Sequence, residues 1–440
     1  MELETLKQLS QDVLKIAKQK GASSAETEIS FGTGQNVSVR MGELENIEYN
    51  RDKGVSVTVY FGQRKGFASS SDLSLLALKD TVEAACNIAQ YTAEDAFCGL
   101  ADAELMATEF PDLDLHHPWN ISVDEAVELA KRCEAAAMQV DKRITNSEGA
   151  SVYNSDSVFA YANSHGFVGG YPSTRHSISA SVIAEAGDMM QRDYWYTNAR
   201  DAADMESPEA VGRRAGERTA RRLDVLPIKT GQYPVLLEAS LASGLIGTLV
   251  SAISGGNLYR KSSFLLDSLG AQIASGVLNI QELPYLKKGT ASSVFDNEGV
   301  ATRDRVLVRD GVLQGYMLGS YSARKLGLQS TGNAGGAHNL LVASTGEDFE
   351  ALLKKMGTGL LVTEVLGHGL NMVTGDYSRG AAGFWVQNGE IKHAAEEITI
   401  ASNMKDMLKQ IVAIGSDVVP NVARQTGSIL IEHMTVAASQ

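Results

Sequence analysis

One segment of the chain, residues 233–256, constrains its fold and chemistry more than any other. The segment reads YPVLLEASLASGLIGTLVSAISGG, so a short β-prone run leads into a long series of small and apolar residues. Glu238 is the only Asp, Glu, His, Cys, Lys or Arg within it. The pattern predicts a strand followed by a tightly buried helix. The interior of such a helix offers no side chain that binds a metal or transfers a proton.

The length of the chain predicts more than one domain. Its 440 residues exceed what a single hydrophobic core commonly supports. An acidic, irregular stretch over 92–120 is typical of a linker, and the character of the sequence changes again after Leu226-Pro227. We therefore predict an N-terminal α+β domain over 1–110, a central α+β domain over 118–224 and a C-terminal β-rich domain over 228–440.

The order of the predicted elements indicates the α+β class. Residues 25–70 alternate as half-buried strands do, and the two glycines of FGTGQ at 31–35 are typical of a turn. Asp310-Gly311 and Asn388-Gly389 each stand between apolar runs, which is a strong β-hairpin signal. Because helices and strands do not alternate strictly, a regular βαβ fold is not expected. We predict an N-terminal antiparallel sheet with helices, a central α+β segment and a barrel-like C-terminal domain around the buried small-residue helix.

Capping residues mark the starts of two helices. Ser122 and Glu125 have capping-box spacing, and Ser207-Pro208 puts a capping serine before a proline in the first turn. The helix that follows carries five arginines, at positions 213, 214, 218, 221 and 222. We interpret them as a solvated face paired with carboxylates, and an acidic partner remains the alternative.

Charge and cysteine usage narrow the class of protein. The net charge of −14 argues against nucleic-acid binding, because contact with phosphates needs a basic surface. The three cysteines have spacings that fit neither a CxxC metal pair nor a disulfide framework, so we expect reduced thiols in a cytoplasmic protein. The charged N-terminal helix is no signal peptide, and the apolar helix 239–253 is too short to span a membrane.

The histidines offer one incomplete set of metal ligands. No two of the eight have the spacing of a helical HExxH zinc site. Glu364 and His368 are four residues apart, but glycines flank the histidine and favour a loop. His338 and Asp376 could complete a set in three dimensions, since catalytic zinc needs three protein ligands and an open position. The alternative is that these four residues are polar loop groups near a cleft.

Three stretches together resemble one protein family. They are FDNEGVATRDRVLVRDGVLQGYML at 295–318, SARKLGLQSTGN at 322–333 and GHGLNMVTGDYSRGAAGFWVQNGEI at 367–391. Over residues 25–437 the chain resembles the TldD/PmbA family of metalloprotease-related proteins, formerly called modulators of DNA gyrase. The third stretch is more similar to the PmbA (TldE) branch than to the TldD branch.

This resemblance implies a protease built from two related chains. In a TldD-type chain, HExxxH on a buried helix and a cysteine near the C-terminus bind zinc. Here the three motif positions fall on Glu238, Ala239 and Ser243, and the cysteine position falls near 420–424, where no cysteine exists. A lone glutamate cannot both bind zinc and activate its water. We therefore expect no catalytic residue, metal or other cofactor in this chain.

Three functional hypotheses follow from the resemblance and the emptied motif. The first is a non-catalytic subunit that pairs with a zinc-bearing TldD-type paralogue and helps to bind peptides or unfolded proteins. The second is a stand-alone homodimeric peptidase that uses His338, Glu364, His368 and Asp376. The third is a regulatory protein that modulates gyrase without contacting DNA.

Overall fold

The N-terminal half of the chain is built on one long, twisted sheet. The computed structural model describes residues 1–438. The strands of this half are β1 (Ser24–Arg40), β2 (Glu43–Phe61), β3 (Arg64–Ser70), β4 (Ile144–Asn163), β5 (Val168–Ala186) and β6 (Met189–Ala199). Its helices are α1 (Leu3–Gln19), α2 (Leu75–Tyr91), α3 (Val123–Met138) and α4 (Pro208–Ala220).

The sheet is continuous across residues 1–110 and 118–224, which the sequence predicts to be separate N-terminal and central domains. Its strand order is β3-β2-β1-β4-β5-β6, and β1 pairs with β4 from Glu26 to Val39. The period-2 alternation turns one face of each strand toward the helices. On that face α1 and α2 cover one half of the sheet, and α3 and α4 cover the other. The boundary between 1–110 and 118–224 remains a prediction, and it does not coincide with a break in the sheet.

The C-terminal half contains a barrel, a second sheet and five short helices. The strands are β7 (Gly231–Leu237), β8 (Ile280–Glu282), β9 (Arg305–Arg309), β10 (Val312–Leu313), β11 (Leu340–Val342), β12 (Gly359–Leu366), β13 (Asp376–Gln387), β14 (Glu390–Asn403), β15 (Ile411–Ile414), β16 (Arg424–Gln425) and β17 (Ile429–Ala438). The helices are α5 (Ala239–Ala252), α6 (Gly255–Tyr259), α7 (Ser320–Leu326), α8 (Phe349–Met356) and α9 (Met404–Lys409).

Five of these strands close into the barrel that the sequence predicted. Their order is β14-β13-β12-β7-β17, and pairing of β14 with β17 completes the ring. Only the β7–β12 pair in this ring is parallel. The second sheet has the order β10-β9-β8-β11-β16. Leu245, Ile246 and Leu249 of α5 share one apolar core with side chains of both sheets, so α5 packs between them. The α+β class is therefore confirmed.

Helix α5 is less enclosed than its sequence indicated. Ala242, Leu245, Ile246, Leu249 and Ala252 are buried, which accounts for the apolar side of the helix. The opposite side carries the small residues Ser240, Gly244 and Ser251, and these are exposed. The prediction of a tightly buried helix is therefore right for one face only, because the core covers the helix from one side.

The local turn and capping signals were mostly reliable. The hairpins turn at Asp310-Gly311 and Asn388-Gly389, where all four residues adopt positive φ, and the capping box of Ser122 and Glu125 is formed. The FGTGQ turn was wrong, because Gly32 and Gly34 lie inside β1. Both glycines are paired on one side with β2 and on the other with β4.

The structure also bears on the cysteines and on the search for a membrane-spanning helix. All three cysteines are free thiols, and Cys86 and Cys133 are buried. Burial raises the pKa of the Cys133 thiol to about 12. Among the described residues, no helix is long and apolar enough to cross a membrane.

Candidate functional site

The implied catalytic motif begins at the junction between β7 and α5. The end of β7 is fixed on both sides, because Val235, Leu236 and Leu237 pair with β12 and with β17. Glu238 follows as the residue before the helix, and its backbone carbonyl accepts the first hydrogen bonds of α5, from Leu241 and Ala242 at 2.8 Å each. The barrel therefore holds this turn rigidly.

The carboxylate of Glu238 does not cap the helix that it precedes. It accepts hydrogen bonds from Nη1 of Arg218 at 2.9 Å to both oxygens, and from Nη2 of Arg221 at 3.4 Å. The Ser240 hydroxyl also donates to it, at 3.1 Å. Its side chain is only 16% exposed. A charge-assisted pair that is this shielded is held firmly, and removal of one partner leaves a buried, uncompensated charge.

The Arg218–Glu238 pair belongs to a larger network of opposite charges. Arg218 lies 3.4 Å from Asp193, and Arg222 donates to Glu364 at 2.5 Å and lies 3.5 Å from Glu396. Arg218 lies on α4 and Arg222 lies just after its end, whereas the carboxylates lie on β6, β12 and β14 and before α5. The network therefore ties the N-terminal sheet and its helix to the barrel.

A cleft of about 520 Å³ opens beside the first turn of α5. We call it the α5 cleft. One wall comes from the barrel and α5, and the other comes from β6 and α4. Its lining includes Ser240 and Leu241 of α5, Thr363 and Glu364 of β12, Trp195 of β6, and the arginines 192, 218 and 222.

The residues at this position do not fit a zinc ion. Of the three motif positions, Ala239 and Ser243 supply no metal ligand, and Glu238 is already bound by two guanidinium groups. A further cation, Arg424, lies over α5 where a Cβ on Gly247 would sit 3.1 Å from its guanidinium carbon. Arg424 falls in the stretch where the resemblance places a zinc-binding cysteine. Two guanidinium groups therefore bind the one carboxylate at this position, and a third lies over the same helix, which disfavours a divalent cation there.

Comparison with known proteins agrees with this fold. Models of PmbA/TldA metallopeptidase domains match three consecutive parts of the sequence: domain 1 over 25–89, the central domain over 116–223 and the C-terminal domain over 230–438. This chain belongs to the PmbA/TldD family.

Relatives within the PmbA/TldD family differ widely in similarity to this chain. Metalloprotease PmbA of Escherichia coli O157:H7 is 53% identical over 416 residues, which cover 94% of this chain and 92% of that one. A TldD homologue from Haemophilus influenzae is 23% identical over 397 residues, which cover 84% and 80%. The crystal structure of a candidate modulator of DNA gyrase from Bacteroides thetaiotaomicron superposes with a TM-score of 0.93 at 28% identity and covers 98% and 99%. The chain thus resembles the PmbA branch more than the TldD branch.

The four histidine and carboxylate candidates of this PmbA/TldD family member have separate surroundings. Glu364 lines the α5 cleft and is paired with Arg222. His338 lines a different cavity, where its Nε2 lies 2.9 Å from the carbonyl of Gly332. His368 is exposed in the loop between β12 and β13. Asp376 accepts bonds from Thr374 and Asn403, which lower its pKa. Within residues 1–438, no three His, Cys, Asp or Glu side chains group closely enough to hold a metal ion.

The arginines in and just after α4 form contacts that the sequence alone did not predict. Arg213 is exposed as predicted, but Arg218 is only 8% exposed and lies among carboxylates of other elements. Arg214 stacks over Trp195 at 3.6 Å. Part of the signal was present in the sequence, since Arg214 and Arg218 are four residues apart and so share one face of α4. The predicted pairing with carboxylates is found for Arg218 and Arg222, but the prediction that they lie on a solvated face was wrong, since their side chains are 10% and 12% exposed.

Proposed function

We propose that this chain is the zinc-free subunit of a two-chain metalloprotease, paired with a TldD-type paralogue that carries the metal. The complex would act on peptides or unfolded proteins. The observation that supports this proposal best is the double arginine contact to Glu238. Glu238, at the first motif position, is bound by Arg218 at 2.9 Å. Ala239 and Ser243, at the other two motif positions, supply neither a metal ligand nor a general base.

The charge arrangement supports a structural role for the former motif. Glu238 joins α5 to α4, so the position that binds metal in a TldD-type chain here fastens two layers of the fold together. Zinc bound to Glu238 would lie close to two guanidinium groups, and like charges at such distances repel strongly in a shielded environment. A residual metal site at this position is therefore disfavoured in free energy.

The family comparison supports the identity of the partner. The chain aligns over most of its length with both PmbA-named and TldD-named proteins, which therefore share one architecture. Two related chains of one architecture can associate through equivalent surfaces, with the chemistry retained in only one of them. The α5 cleft would then be a wall of the shared substrate cavity.

The test is affinity purification of this chain at native expression, followed by mass spectrometry and metal analysis. We expect a near-stoichiometric paralogue with an intact HExxxH motif, zinc in the complex, and peptidase activity in the complex alone. The matched control is the complex whose paralogue has its motif glutamate replaced by glutamine, which should keep the association and lose the activity.

The result that would contradict this proposal is equally direct. Stoichiometric zinc and peptide cleavage by the purified chain alone would make it an enzyme in its own right. In that case a His368→Ala variant would show whether the candidate residues of the second hypothesis carry the activity.

A further inference from the structure

A second cavity, of about 420 Å³, lies between the outer face of the N-terminal sheet and loops of the C-terminal half. We call it the Glu28 pocket. Its volume falls in the range of about 300–1,000 Å³ that is usual for small-molecule sites. The candidate residue His338 is one of its lining residues.

Aromatic rings form one wall of the Glu28 pocket. Phe159 and Tyr171 are cross-strand neighbours on β4 and β5, and their ring centroids are 4.8 Å apart in an edge-on arrangement. Phe295 contacts both rings, with centroids 6.0 Å away. The Tyr171 hydroxyl is fixed by Ser293 at 2.9 Å. This wall is therefore rigid, because each ring is held by another ring or by a hydrogen bond.

Glu28 supplies an unpaired negative charge to the same cavity. The register of β1 places it directly opposite Tyr161, two residues along the strand pair from Ser30 and Phe159 and therefore on the same face of the sheet. Among the described residues, no side chain or backbone group donates a hydrogen bond to its carboxylate, and no lysine or arginine lines the pocket. The Glu28 residue is exposed to solvent, but partial desolvation beside the aromatic wall raises the pKa of its carboxyl.

A second carboxylate, that of Asp296, also lines the pocket but has a structural role. It accepts backbone hydrogen bonds from Glu298, Val300 and Ala334 at 2.9–3.0 Å and so joins two loops of the pocket wall. Glu28 differs from it, since all of the hydrogen-bonding capacity of Glu28 is free. The cavity therefore combines a negative potential with aromatic surface.

We propose that the Glu28 pocket binds a primary ammonium or guanidinium group of a peptide, with Glu28 as the counter-ion and the rings of Phe159, Tyr171 and Phe295 as the enclosing wall. A carboxylate beside aromatic rings is suited to an organic cation, which gains both a charge-assisted bond and cation–π attraction. An anion would be repelled, and an apolar group would leave Glu28 unpaired. The assignment of the cation to a peptide rests on the proposed function.

The experiment measures binding of short peptides to the isolated, full-length chain by NMR and calorimetry. The probes are N-acetyl-Gly-Lys-Gly-amide, its arginine counterpart, its neutral norleucine counterpart, and Gly-Gly-Gly-amide with a free N-terminus. Binding of a cationic probe is expected in the micromolar to millimolar range, with shifts at Phe159 and Tyr171. Glu28→Gln should weaken binding by about tenfold or more, because a charge-assisted bond contributes at least that much.

Glu43→Gln is the matched control, since Glu43 is exposed at the far end of the β1–β2 hairpin. This variant should bind as the unaltered chain does. Preference for the lysine or arginine probe would identify a side chain as the ligand, and preference for Gly-Gly-Gly-amide would identify a chain terminus. Equal binding of the norleucine probe, an unchanged affinity in Glu28→Gln, or no binding of any probe would overturn the proposal. Because neither zinc nor a partner is needed, this outcome is independent of the test of subunit pairing.

Discussion

The α5 cleft and the Glu28 pocket each contain a glutamate, but Glu238 is shielded and paired with arginines, whereas Glu28 is exposed and has no cation beside it. Glu238 is bound by Arg218 and Arg221, which come from a different layer of the fold. Glu28 has no lysine or arginine in its pocket, and partial desolvation raises its pKa. Loss of one partner from a shielded ion pair is costly, because the other charge is then left uncompensated, whereas a carboxylate without a partner is available for a ligand.

Because of this difference, only one of the two cavities offers an unpaired carboxylate to a ligand. The α5 cleft stands where the resemblance places the HExxxH motif of TldD-type chains, yet its arginines and carboxylates are paired with one another. The Glu28 pocket lies away from that motif, yet its charge remains open. The α5 cleft therefore lies at the position of the family motif, whereas the Glu28 pocket has the carboxylate that is free to bind a ligand.

The largest expected effect comes from breaking the paired site. Arg218→Ala should lower the free energy of unfolding by about 3–5 kcal/mol, because it leaves Glu238 and Asp193 shielded without their cation. Urea denaturation followed by circular dichroism measures this. Arg213→Ala, on the exposed side of the same helix, should change it by less than ~0.5 kcal/mol. Equal effects of the two variants would show that the network does not stabilise the fold.

The second prediction compares the two glutamates directly through the same substitution. Glu238→Gln should destabilise the protein by about 1–3 kcal/mol, since it removes a charged hydrogen-bond acceptor from Arg218. Glu28→Gln should leave stability unchanged within ~0.5 kcal/mol or raise it, because no protein group binds that carboxylate. Thermal and urea unfolding of both variants would test the comparison. A loss of stability in Glu28→Gln as large as in Glu238→Gln would abolish the distinction between the two sites.

The smallest effect concerns pH and Asp296 in the wall of the Glu28 pocket. Burial, reinforced by the nearby charge of Glu298, raises the pKa of Asp296 to about 7, against backbone hydrogen bonds that lower it. The folded state therefore holds this proton more tightly than the unfolded state does. The stability that it contributes is fully present below the ordinary pKa of 3.8 and is lost as the pH rises from there through about 7, so the interval around neutral pH contains only the last part of the loss.

Between about pH 6 and pH 8 this loss should amount to about 1 kcal/mol, by the linkage relation. Unfolding measured across that interval gives the slope, and carboxyl NMR gives the pKa of Asp296 itself. Asparagine at position 296 cannot titrate. The free energy of unfolding of Asp296→Asn should therefore fall less steeply between about pH 6 and pH 8 than that of the unaltered protein, whether the variant is more or less stable overall. The same slope in both proteins would rule out a raised pKa at Asp296.

Sequence reasoning succeeded where the determining residues are close together along the chain. Asn388-Gly389 specifies its hairpin because both residues tolerate positive φ, and Ser122 with Glu125 caps its helix from within one turn. It failed at Gly32 and Gly34, where pairing with strands on both sides overrides the local preference of glycine for turns. The candidate set of His338, Glu364, His368 and Asp376 was also beyond local reasoning, since the distances among them depend on the packing of separate loops.

The sequence by itself determined the absence of the HExxxH ligands, the hairpins and helix caps, the α+β class and the resemblance to one family. These are properties of residue identity, of short-range backbone preference and of a pattern preserved along the chain. Only the tertiary structure decided that Arg218 reaches Glu238 across 20 positions and that Glu28 faces a wall built from residues more than 120 positions away. The physical reason is that the energy of a shielded charge depends on which distant groups surround it, and no local pattern encodes those neighbours.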